Sequence, residues 1–307
     1  MRTGKKRRRT RGMNIAQRAL FGACLTVFVV STFLFCRYVI TSAARKHENE
    51  SLSVEYSDSF VAATAAEFTT EPESTAYIEN TAEPVYEESI AIPETFRSMQ
   101  GEKLPKAYDL MWQNQDIVGW LRIDDVVDLP VVYRDNEFYL NHDFNGDVDS
   151  GGTLFLDENH PLLESTQSLV IHGHDMHDGS MFGKVSNYDK LSYVRKYPFA
   201  VFSTLYARED YVIFAVLQVD TDPENDDFFN YIGRPRFGSP TEFYDYVESM
   251  RSHSMFDIPV DVRHTDSLLA LSTCVNDDRL VVVFRRVREN ENMDQLRFMT
   301  DQAVDME

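Results

Sequence analysis

One thiol and a crowd of imidazoles hold the reactive chemistry of this sequence. Cys274 ends the apolar run LLALSTC (Leu268 to Cys274) and is followed at once by VNDDRLVVVFRRV. The other two cysteines, Cys24 and Cys36, lie in a separate apolar stretch near the N-terminus, so Cys274 has no partner for a disulfide inside its own domain. A free Cys is most often a small buried hydrophobe. A side chain that closes a buried strand just before a tight polar loop stands instead at the rim of a sheet. There the thiolate is a strong nucleophile, and a thiol of ordinary pKa, about 8.5, needs a cation or an imidazole to reach that state. Arg279, at the mouth of the following strand, is the candidate cation; an ordinary strand-edge charge is the alternative. Arg285 shares its face on an alternating strand but lies about 20 Å further from the rim at ~3.3 Å per residue.

The imidazoles come in LVIHGHDMHDGSMFG, Leu169 to Gly183. His172, His174 and His177 fit the spacing of a His-x-His-x-Asp-His metal motif, but Met176 stands at the Asp position, and a soft thioether does not replace a hard carboxylate ligand. His253 or His264 would have to complete such a site, so no metal and no other cofactor is expected. What remains is a single His working as acid and base, for which an unperturbed pKa of about 6.5 is suited. Asp175, Asp178 and Ser180 read as residues that cap and shape the loop.

These residues sit on short elements. Compact runs rich in Val, Ile, Leu and aromatics read as eight strands: Ile117 to Ile123, Leu129 to Tyr133, Thr153 to Leu156, Leu169 to His174, Phe199 to Thr204, Asp210 to Val219, Leu268 to Cys274 and Arg279 to Arg286. Turn-forming clusters such as DFNGDVDSGG (143 to 152) and DTDPENDD (220 to 227) separate them. Lys106 to Asn114 reads as a short amphipathic helix. Ser239 to His253 reads as a longer one, with Ser239 as cap, Pro240 at the first helical position, and Phe243, Tyr246, Val247 and Met250 on one face. So few helices among so many strands argue for a mainly β, α+β fold closed into a barrel.

The rest of the chain is sorted by charge. There are 30 Lys and Arg against 50 Asp and Glu in 307 residues, a formal net charge of −20, which disfavours binding to nucleic acid. Residues 1 to 18 nonetheless carry eight basic residues and no acid, as a cytoplasmic tail would. Next comes ALFGACLTVFVVSTFLFC (Ala19 to Cys36), eighteen residues without a charge. As a helix this run spans about 27 Å, close to the roughly 30 Å of a hydrocarbon core. Residues 19 to 40 are therefore expected to anchor the chain in a membrane with its N-terminus inside and its body outside. A cleaved signal peptide shares this grammar, but its apolar core usually has only about 7 to 15 residues. Residues 41 to 96 read as an acidic, disordered stalk: from His47 to Phe96 there are twelve acids and no Lys or Arg. The catalytic domain is expected over 97 to 290, and a C-terminal tail over 291 to 307.

Five blocks in order give the chain a family likeness. NQDIVGWLRI (Asn114 to Ile123), LPVVYRDNEFYLNHDF (Leu129 to Phe144), GGTLFLDENH (Gly151 to His160), IHGHDMHDGSMFG (Ile171 to Gly183) and LALSTCVNDDRLVVV (Leu269 to Val283) resemble class B sortases. The resemblance implies a closed eight-stranded sortase-type β-barrel with an N-terminal helix and an inserted helix before the cysteine strand. It implies His174 as catalytic histidine, Cys274 as nucleophile and Arg279 as catalytic arginine. Ser272 and Thr273 beside the cysteine read as backbone or hydroxyl contacts to substrate, with small residues packing at a crowded strand end as the alternative. In that family the Cys attacks a C-terminal sorting signal of an exported protein, and an amine of a cell-wall precursor or a pilin subunit resolves the thioester. One departure is His172, where relatives often have Tyr before Gly-His; it reads as a wall residue of the site. Two other outcomes compete: a peptidase that hydrolyses its acyl-enzyme, and an anchored binding module without catalysis.

Overall fold

The computed structural model describes residues 15–57, 107–160, 166–220, 224–225, 228–275 and 278–306. The chain divides into two units, Met1–His47 and Glu48–Glu307. The first is dominated by α1 (Ile15–Leu52), whose apolar stretch from Leu20 onward is long and apolar enough to cross a membrane. Thr26 and Thr32 return their hydroxyls to the carbonyls of Gly22 and Phe28, so the helix carries these polar side chains without unpaired groups.

The second unit is built on a closed barrel. Its strands are β1 (Ile117–Ile123), β2 (Val127–Val132), β3 (Leu154–Leu156), β4 (Ser168–His172), β5 (Phe199–Thr204), β6 (Arg208–Val219), β8 (Leu268–Val275) and β9 (Asp278–Arg286). They run in the order β1-β2-β3-β4-β8-β9-β6-β5, with β5 returning to β1. β2 with β3 and β4 with β8 are parallel; the other pairs are antiparallel. Closure leaves no long open edge. The LVVVF segment of β9 is buried on both faces, and Phe284 meets the buried ring of Tyr188 edge to face.

Helices sit where the sequence places them. α2 (Ala107–Gln113) precedes the barrel, α3 (Leu191–Lys196) precedes β5, and α4 (Pro240–Ser252) comes before the cysteine strand. Ser239 caps α4 by accepting from the Glu242 amide, and Pro240 occupies the first turn. Phe243, Val247 and Met250 are buried along its inner face, each worth roughly 1.5–3 kcal/mol on removal from water. Half-buried Tyr246 completes that stripe and donates its hydroxyl to the carbonyl of Tyr231.

Two expected boundaries move. The segment expected as a stalk from residue 41 begins as helix: α1 continues to Leu52, and Ser53–Ser57 follow as a π-helical turn. The reason is local anchoring, since Leu52 and Tyr56 are buried, Ser53 donates to Asp128 of β2, and the Tyr56 hydroxyl accepts from Gln113. Residues 58 to 106, the rest of that expectation and the start of the expected catalytic domain, lie outside the described residues, as does the basic run 1 to 14. The expected tail after Asn290 is instead folded. Asn292 caps α5 (Met293–Asp301), Leu296 and Thr300 are buried, and β10 (Val304–Asp305) pairs with β7 (Phe256–Asp257). Arg195 donates to the Ala303 carbonyl and closes the joint.

Candidate active site

The register of two hairpin strands sets the geometry of the site. In the β8–β9 ladder Cys274 lies directly opposite Arg279, and Val275 opposite Asp278. Directly opposed residues of an antiparallel pair project to one face, with Cβ atoms about 4.5–5.5 Å apart. Thiol and guanidinium are therefore neighbours because the connection is so short. Cys274 is exposed, not a buried hydrophobe.

His174 arrives from the parallel neighbour. β4 pairs His172 with Ser272 of β8. Just past the strand end the Gly173 amide donates to the Ser272 carbonyl at 3.2 Å, and Thr273 Oγ1 donates to the Gly173 carbonyl at 2.8 Å. A Cβ on Gly173 would stand 2.5 Å from Leu154 Cδ2 and 2.7 Å from Phe182 Cδ2, so glycine is required by close packing. These contacts staple His174 beside Thr273–Cys274. The Nε2 of His174 is 2.7 Å from the Leu140 carbonyl oxygen. A carbonyl only accepts, so Nε2 carries the hydrogen, and in the neutral ring the lone pair is on Nδ1.

His174, Cys274 and Arg279 line one cavity of about 400 Å³. Leu140, Phe155, Phe228, Phe229 and Ile232 give it apolar walls, and Asn136, Asp157 and His172 a polar one. A mostly apolar cleft with a few convergent polar groups suits a peptide segment. Ser272 and Thr273, expected to touch substrate, are both fully buried. The Ser272 hydroxyl is 2.8 Å from the Tyr231 hydroxyl, and that of Thr273 is committed to Gly173. They support the floor, and the expected contact becomes a structural one. Asp178 caps its loop through the amide and hydroxyl of Ser180, as anticipated.

His172 forms a pair that the sequence reading did not contain. Its Nε2 donates to Asp157 Oδ2 at 3.0 Å, with the carboxylate 1% and the imidazole 13% exposed. Burial pushes the Asp157 carboxyl up, but the bonds from His172 and from the Asn159 amide outweigh it and hold it down at about 2. The available signal was alternation: Asp157 falls two residues after Phe155, the spacing at which strand residues share a face, and both line the cavity. Among the described residues no group of three or more His, Cys, Asp or Glu is placed to hold a metal ion.

No family model matches the chain. Sortase B of Listeria monocytogenes is 31% identical over 179 residues, which is 58% of this chain and 70% of the relative. The chain belongs to the sortase B family. Sortase B of Staphylococcus aureus is 26% identical over 182 residues, 57% of this chain and 72% of that one. Among solved structures, a Bacillus anthracis protein described as similar to sortase B superposes with a TM-score of 0.56 at 28% identity, covering 63% of this chain and 87% of its own. A Staphylococcus aureus sortase B–substrate complex gives 0.55 at 26% identity, covering 61% and 86%. The family makes this chain a sortase-type cysteine transpeptidase, and its closed eight-stranded barrel with accompanying helices matches these sortase B structures.

Proposed function

We propose that Cys274 is the nucleophile, His174 the acid–base and Arg279 the oxyanion partner of a transpeptidase that cleaves a C-terminal sorting signal of exported proteins. The observation that carries this reading is the opposition of Cys274 and Arg279 in one register pair, in a cavity also lined by His174. The Cys274 thiolate attacks the scissile carbonyl, forming a C–S bond, and the guanidinium holds the developing oxyanion. As the C–N bond breaks, the His174 imidazolium gives its proton to the departing amine. The same ring then takes a proton from the incoming amine of a cell-wall precursor or pilin, which displaces the thioester. With Nε2–H fixed on Leu140, Nδ1 is the atom that releases and recovers this proton. Ser272 and Thr273 act by holding the strand ends in place.

The apolar part of α1 serves as a retained anchor, with the basic N-terminus in the cytoplasm and the barrel outside the cell, where exported substrates and wall amines meet. The test uses the full-length chain in detergent with a panel of sorting-signal peptides, and mass spectrometry of the intact protein. A thioester at Cys274 that an added amine converts to a transpeptidation product is the expected result. Cys274→Ala and His174→Ala should lose turnover and keep a cooperative unfolding transition. Undiminished turnover in either variant refutes the assignment.

A further inference from the structure

The two imidazoles of the HGH segment are tied, by separate routes, to one short piece of chain. His172 Nε2 donates to Asp157 Oδ2, and Asn136 Nδ2 donates to the same oxygen at 3.0 Å. Asp157 Oδ1 accepts from the amide and the carboxamide of Asn159. The roughly four acceptor sites of the buried carboxylate are thus filled. Asp157 therefore has nothing left to offer a substrate, and its capacity goes into fixing other residues. The carboxamide of Asn136 is pinned at both ends, since its Oδ1 also accepts from the Glu158 amide at 2.9 Å. Directly before Asn136, Asp135 Oδ1 accepts from the amides of Glu137 and Phe138 at the start of the short 3₁₀ turn Phe138–Leu140. That turn ends in the carbonyl that takes the Nε2–H of His174. The circuit is closed: His172, Asp157, Asn136, the turn, Leu140, His174, and back through Gly173.

We infer that His172 and Asp157 are positioning residues for His174: their hydrogen bond braces Asn136 and the 136–140 segment, which holds the Leu140 carbonyl against Nε2 and so fixes the tautomer and orientation of the proton-transferring ring. This rests on the assignment of His174 as acid–base. Without the strut the Leu140 carbonyl loses its fixed place, the ring samples both tautomers, and the lone pair is no longer presented from Nδ1. A ring displaced by even about 1 Å can cost two orders of magnitude in rate, so the main effect belongs in kcat.

The experiment uses the full-length chain in detergent and a sorting-signal peptide that the wild type turns over. Kinetics are measured for His172→Phe, His172→Gln and Asn136→Ala, together with the imidazole nitrogen resonances of His174. His172→Phe keeps an aromatic ring beside Phe155 but cannot donate to Asp157. Its kcat is expected to fall by at least ~10-fold, by more than KM changes, and the His174 Nε2–H signal should broaden or vanish. Gln at the same position keeps a donor for Asp157 and should restore kcat to within about threefold and return the signal. Asn136→Ala opens the circuit at another joint, removing one of the four bonds to Asp157 but keeping the bond from His172, and should reproduce the loss if His172→Phe does not fold. A folded His172→Phe or Asn136→Ala with kcat within twofold of wild type and an unchanged His174 resonance overturns the inference alone. If His174→Ala is itself active, the assignment of the acid–base falls, and this inference with it.

Discussion

Removing Arg285 should unfold the protein more easily and leave its chemistry alone, although Arg285 shares a strand and a face with Arg279. The side chain of Arg285 is completely buried, at the far end of β9 from the cavity: Arg285 pairs with Val212, Arg279 with Val219. Its guanidinium grips Glu291 through two bonds of 2.6 and 2.8 Å, and its Nε donates to the Asp261 carbonyl at 2.6 Å. Breaking one side of a buried pair costs about 3–5 kcal/mol, because the partner charge stays behind without compensation. Glu291 keeps two bonds from Arg288, so Arg285→Met belongs at the lower end, about 3 kcal/mol. For a domain of this size that is a fall in Tm of about 6–12 °C, read from the fluorescence of Trp120, which is buried in β1. Removing both partners, as Arg285→Met with Glu291→Leu, should cost less than the single change. Turnover per folded molecule should stay within about twofold for Arg285→Met, while Arg279→Met keeps its Tm and loses turnover. An Arg285→Met protein that melts like the wild type but no longer turns over peptide would refute the reasoning, and with it the placing of the oxyanion partner at Arg279.

Gly173→Ala should lower kcat more than stability: overpacking against Leu154 and Phe182 costs about 1–3 kcal/mol, and the displaced backbone moves His174 off Leu140. A kcat loss no larger than that of a conservative surface variant sinks this expectation. Asp157 should make the protein acid-sensitive in a narrow window. Its carboxyl is held at about 2, below its ordinary 3.8, so the ionised form stabilises the fold by about 2 kcal/mol above pH 4. That contribution is lost as the pH falls through the folded value, so the Tm gap between wild type and Asp157→Asn should narrow from pH 4 to pH 2. A gap that stays constant across this range contradicts the assignment of the shift to the charged carboxylate.

The barrel was legible because its strands announce themselves locally. Ile117 to Ile123 and Phe199 to Thr204 appear within the bounds read from their apolar and β-branched runs, and α4 begins at Pro240 beside its Ser239 cap. Cys274 and Arg279 were legible as a pair because a two-strand hairpin encodes its register in a handful of consecutive residues. Asp157 and His172 were not, since their meeting depends on β3 and β4 lying side by side with Phe155 opposite His172. The C-terminal segment escaped for another reason. Its α5 buries Leu296 and Thr300 while Phe298 remains exposed, and β10 is held to β7 by backbone pairing that leaves no side-chain pattern. The helical continuation of α1 past Ile40 follows from the side chains of Leu52 and Tyr56 finding shelter, which composition does not reveal.

The hairpin that sets thiol against guanidinium also limits how this enzyme can vary. Adding or deleting one residue between Val275 and Asp278 would shift the pairing by one and turn Arg279 toward the opposite face. Spacing there is thus under strict control, since an indel severs the electrostatic partner from the sulfur. Adaptation to new peptides has to be written into another wall of the cleft, around 228 to 232, where chain length is not tied to a ladder.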